Sequence, residues 1–195
     1  MTISRFAILA LAAGLAGCAS LSPIAAVRLA AFDPLAADPA GIAVAVKTSE
    51  RLHVGDGNVI LRLALAADDP ALAFDETFRL AVSGVSAGSA FPDRIEQGEH
   101  VRIATVREAD RARLAAAQAK ARAARETGNK GKGTLSVSVT GGCRTGPIDG
   151  QQTRLGTYMR TEREGAFFAL TRGTRLAEAI GADKVAAIPE CESAG

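Results

Sequence analysis

The sequence predicts a mainly β domain: a two-sheet sandwich with one alanine-rich helix inserted and a short helix near the C-terminus. Three observations carry this. Apolar residues alternate at period two in seven separate stretches, the pattern of strands with one buried face. Glu108 to Glu126 contains no Gly or Pro and nine alanines, a composition of high helix propensity. The chain is 48% hydrophobic and 23% charged, too apolar for disorder and too charged for a membrane bundle. Seven half-apolar strands need a second layer, and two packed sheets supply it most simply. The immunoglobulin architecture is the nearest analogue, although Trp and an early-and-late Cys pair are missing. An α+β fold is the alternative. The length of 195 residues fits one domain, or a small domain plus tails.

The elements follow in order. Ile42, Val44 and Val46 share one strand face. Gly55-Asp56-Gly57-Asn58 is hairpin chemistry, because Asp-Gly tolerates the positive φ of tight turns. Val59, Leu61, Leu63 and Leu65 share the next face, and Asp68-Asp69-Pro70 breaks the chain after it. Phe74, Phe78, Leu80 and Val82 face one way, with Asp75, Thr77 and Arg79 opposite. Val101 and Ile103 alternate with Arg102 and Ala104. The helix spans Glu108 to Glu126 and stops at Thr127-Gly128. Leu114 is its one large apolar residue. Ala109, Ala112, Ala116, Ala119 and Ala123 form a stripe of small side chains, so weak that the helix is expected to project or dock loosely. Leu135, Val137 and Val139 alternate with Ser136 and Ser138. Tyr158-Met159-Arg160 and Phe167-Phe168-Ala169-Leu170 form a last pair, joined through Glu162 to Gly165. A short helix from Thr174 to Ile180 ends before Gly181.

The N-terminus adds an address. Arg5 precedes an apolar run from Phe6 to Ala16, the length of a signal-peptide core and too short for a transmembrane helix. The run ends in Leu15-Ala16-Gly17-Cys18, which resembles the lipobox of bacterial lipoproteins. The resemblance covers residues 1 to about 20. It implies cleavage after Gly17 and acylation of Cys18, with chains such as palmitate anchoring the protein in a membrane. Ala19 stands where Asp resembles an inner-membrane retention signal. The family rule then implies an outer-membrane protein facing the periplasm of a Gram-negative host. Residues 1–17 are the expected signal peptide and 18–41 the lipidated Cys with its tether. That tether contains Pro23, Pro34 and Pro39, and Ile24 to Phe32 within it is a segment able to dock on the domain. Residues 42–195 form a single strand-rich domain.

With Cys18 acylated, Cys143 and Cys191 remain, and two thiols in an oxidising compartment predict one disulfide. It closes a loop of about 48 residues, worth roughly 4 kcal/mol by chain entropy.

Formal net charge is +2, from 23 basic and 21 acidic residues, which argues against a nucleic-acid binder. Arg107, Arg111, Arg113, Lys120, Arg122, Arg125, Lys130 and Lys132 together make a candidate surface for an anionic partner, weighed against a plain solvated helix face. The glycine-rich turn Gly128 to Thr134 fails the P-loop pattern. Gly84-Val85-Ser86-Ala87-Gly88 matches a nucleophile elbow, yet Pro92 follows where a helix should start. His53 and His100 are isolated, and neither metal nor cofactor is predicted. The functional expectation is a non-catalytic, lipid-anchored envelope protein, a periplasmic interaction or structural module, with another envelope protein as its candidate partner. A carrier of lipid or small molecules is the alternative, its cavity lined by Phe74, Phe78, Phe167 and Phe168. A small esterase using Ser86 is a third reading.

Overall fold

The computed structural model describes residues 35–83, 91–128 and 131–192; Cys18, Ser86, Lys130 and the segment Ile24 to Phe32 lie outside them. The described residues are mostly β, in three antiparallel sheets with three helices among them. The strands are β1 (Ala43–Ser49), β2 (Leu52–His53), β3 (Val59–Ala67), β4 (Phe74–Arg79), β5 (Ala81–Ser83), β6 (Glu99–Thr105), β7 (Gly131–Val139), β8 (Cys143–Arg144), β9 (Arg154–Arg160) and β10 (Phe168–Arg175). The helices are α1 (Glu108–Glu126), α2 (Leu176–Ile180) and α3 (Ala182–Ala186). A five-stranded sheet runs β10-β9-β1-β6-β5, a three-stranded sheet β4-β3-β7, and β2 pairs with β8 alone.

The two larger sheets share one core. Val44, Val46, Ala104, Met159 and Phe168 from the first meet Val59, Leu61, Leu63 and Phe78 from the second. The five-stranded sheet is buried on its other face too. Ala43 and Ala45 leave room there for Tyr158 and Phe167, which Phe91 covers at ring separations of 4.4 and 6.3 Å. Small residues on one face of β1 and β-branched residues on the other let a single strand fill two layers.

The helix α1 ends where the sequence predicts, with Gly128 at φ 67° releasing the backbone into a left-handed stop. Its docking differs from expectation. Ala109, Ala112, Ala116, Ala119 and Ala123 are exposed, and the buried stripe is Leu114, Ala117, Ala121 and Ala124. Leu114 and Ala117 join the shared core, and Ala121 and Ala124 sit against Leu65 and Leu35. The helix is therefore closely docked. With nine alanines two stripes have similar spacing, and the position of Leu114 decides between them. Leu35 to Gly41, read as tether, lies on the domain: Gln118 donates to Ala37 O at 3.0 Å and Arg122 to Leu35 O.

The stretch from Phe74 to Val82 is two strands. Leu80 carries the chain from the three-stranded sheet to the five-stranded one. The turn at Gly55 to Asn58 forms, but it joins strands of different sheets and so makes no hairpin. It staples the crossing instead. Gly57, at φ 74°, donates to Leu80 O at 3.0 Å, and Asp56 accepts from the Val82 N–H at 3.0 Å. The Asp68-Asp69-Pro70 break does link a paired hairpin, β3 with β4. The last predicted pair is β9 with β10, in register Phe168↔Met159. The strands β2 and β8 and the helix α3 were not expected; each is too short to show a period.

Candidate functional site

The C-terminal part of the chain is held by a covalent bond and a small apolar cluster. Cys143 on β8 and Cys191 are disulfide-bonded, their Cα atoms 4.8 Å apart, as the sequence predicts. Around the bond the backbone interlocks: Arg144 N–H donates to Pro189 O and Cys191 N–H to Arg144 O, both at 2.9 Å. The Arg144 guanidinium adds a bond to Ile188 O at 3.0 Å. Leu52, Leu176 and Val185 form the buried cluster that seats α2 and α3.

Between these helices and the sheets lies a trough of about 510 Å³. Its walls include Leu52, Val139, Leu155, Leu176, Ile180 and Ile188, with Lys184 as its charged residue. The strands β7 and β9 supply one side and α2 and α3 the other; Gly141-Gly142 lines it too, glycine being needed there because a Cβ would strike Asn58 at Gly141 and the His53 carbonyl at Gly142. A trough of this size and polarity accommodates apolar side chains or an acyl chain, oriented by one cation.

A second recess, of about 250 Å³, is polar. The Tyr158 hydroxyl donates to Asp93 at 2.5 Å, Arg172 pairs with Asp93 at 3.3 Å, and Lys47 sits 2.8 Å from Glu99. Burial, then the Asp93 hydrogen bond, holds the Tyr158 hydroxyl well above the usual phenol range. Tyr158 is thus a fixed donor at neutral pH. Together with the Phe91 ring contact, this network locks the segment before β6 onto the sheet.

His53 and His100, distant in sequence, meet edge to face at 5.7 Å. His100 bonds Leu52 O at 3.0 Å through Nε2, and burial holds its pKa below the usual 6.5. Among the described residues no group of three or more His, Cys, Asp and Glu side chains is placed to hold a metal ion.

The predicted basic surface divides. Arg107 pairs with Asp56 and donates to Arg79 O at 3.1 Å. Arg113 bonds Glu76 at 2.5 Å and Asp110 at 2.9 Å, and its guanidinium lies 4.2 Å from the Phe78 ring centre. With Arg122 on Leu35 O, three of the eight cations hold α1 in place. Arg111 is half-buried, Lys120, Arg125 and Lys132 are exposed, and Lys130 falls outside the described residues. The four phenylalanines do not line the trough. Phe78 and Phe168 lie in the shared core, Phe167 on the opposite face of the five-stranded sheet, and Phe74 between the core and α1.

The sequence held weak signals for the trough. Gly141-Gly142 beside Cys143 marks an open loop, and Leu176, Ile180, Val185 and Ile188 mark an apolar C-terminal face. No protein-family model matches the chain, and comparison with curated proteins and with solved structures finds no match.

Proposed function

We propose that this chain is a lipid-anchored, periplasm-facing module of the outer membrane that acts by binding a partner. The two larger sheets are read as the layers of a sandwich, and the disulfide-stapled trough as its working feature. The observation that carries the reading is polarity. Leu35, where the described chain begins, packs at the end of α1, beside Leu65 and Ala67. Gly131 of β7 pairs with Ala67 at that end, whereas Val139 of β7 lines the trough. Eight strand steps of about 3.4 Å separate them by roughly 27 Å. An anchor at Cys18 attaches the domain by one end and leaves the trough at the other, turned from the lipid.

The test is fractionation. Cys18→Ala protein should stay unprocessed or leave the membrane fraction, and wild type should incorporate labelled palmitate. Processing and membrane retention of the variant would overturn the anchor. A photo-crosslinking residue at Ile180 should then trap a reproducible protein. The trough volume also suits a single-chain amphiphile with its head group at Lys184. Lipid co-purifying with wild type, and lost with Ile180→Glu, would favour a carrier instead.

A further inference from the structure

The three-stranded sheet ends in a strand that nothing described covers. Natural sheets blunt their edges with short strands, bulges, prolines or charge. Three of the four edges of the larger sheets follow that rule. The strand β10 has two register shifts, at Ala169/Thr171 and Thr171/Thr174. The strand β5 has only three residues. The strand β4 carries Asp75, Glu76 and Arg79, with Arg62 and Arg113 paired onto its acids. Of these devices the strand β7 has a single charge near its start and no other. It runs nine residues in unbroken register from Val59↔Val139 to Ala67↔Gly131, without proline and with Lys132 as its one charge. Leu135, Val137 and Val139 are half-exposed along its core-facing side.

The hydrogen-bond phase says which backbone groups are free. Thr140 N–H donates to Asn58 O at 2.8 Å, so in this register the even-numbered residues of β7 bond β3. On the other side of β3, Leu80 N–H donates to Val59 O at 2.9 Å, which assigns the odd residues of β3 to β4 and agrees. Gly133, Leu135, Val137 and Val139 therefore direct their N–H and C=O groups away from the sheet. Val139 also lines the trough, so an added strand would run straight into it. Lys132 stands at one end of this path and Lys184 at the other.

We infer that β7 is a strand-addition site for an extended segment of a partner protein, apolar at alternate positions and acidic at its ends. Main-chain bonds to the odd residues supply affinity, and side chains seated beside Leu135, Val137 and the trough supply selectivity. This rests on the reading of the chain as a binding module and is independent of its anchor.

The probe is a peptide matched to β7 in length (nine residues), alternating threonine and valine, with an aspartate at each end. It is titrated into full-length protein in detergent while amide exchange is followed along β7. Binding should slow exchange at Leu135 and Val137. Gly133→Pro and Val137→Pro each remove an outward N–H while sparing the bonds to β3, and a Cβ at Gly133 meets nothing within 4 Å. Each should weaken binding about tenfold, with the melting temperature of Gly133→Pro unchanged. No binding, or equal binding to both proline variants, overturns the site. Slow exchange at Leu135 and Val137 in the peptide-free monomer means the chain covers its own edge, and overturns it. A dimer that dissociates in Gly133→Pro makes a second copy the occupant and overturns the partner assignment. A failed Cys18→Ala fractionation test leaves all these outcomes readable.

Discussion

Two regions of the molecule are held by different means. Along the three-stranded sheet α1 brings Leu114 and Ala117 into the shared core and fixes its flank with Arg107 and Arg113. Beside the trough, α2 and α3 share a cluster whose fully buried members are Leu52, Leu176 and Val185. Burying a single Leu or Val is worth about 1.5–3 kcal/mol, little against the entropy of ordering two five-residue helices. The disulfide between Cys143 and Cys191 supplies what packing does not. The stapled region keeps its shape around an open trough.

Removing the staple should break this contrast most strongly. Cys143→Ser with Cys191→Ser should lose about 4 kcal/mol of unfolding free energy in denaturant titration. The loss should centre on α2 and α3. Leu114→Ala should cost about 3 kcal/mol through the cavity it leaves. It should loosen α1 while the stapled region keeps its fold, which near-ultraviolet dichroism of the disulfide would report. A loss common to both regions in either variant would mean one cooperative unit.

A smaller effect comes from pH. Burial depresses the folded pKa of His100 below 6.5, so its contribution to stability is present above that pH and drains as pH falls through the lowered value. His100 touches Leu52 in the stapled region. The melting temperature should therefore fall from about pH 7 to about pH 5, and His100→Gln should flatten that slope. The smallest change expected is Ala116→Leu, on the exposed alanine stripe, at under about 0.5 kcal/mol. A large loss there would return the buried face of α1 to the stripe the sequence favoured.

The sequence made some of this legible. Strand faces followed from alternation, and the limits of α1 from uninterrupted propensity and a glycine stop. The buried face of α1 did not, because alanine repeats at helical spacing on both sides. The crossing at Leu80 was hidden because its alternation continues unbroken while the backbone changes sheets. The pairing of Cys143 with Cys191 was reachable by counting thiols. The trough was not, since it is assembled from separate segments that only the tertiary fold brings together. His53 and His100 looked isolated for the same reason.

The most direct test of separate closure is site-resolved amide exchange with and without a reductant. Reduction of Cys143–Cys191 should speed exchange across Leu176 to Ala186 while leaving Leu114 to Ala124 protected. Equal acceleration in both regions would contradict the account, and would make the disulfide a support for the whole fold rather than for the trough.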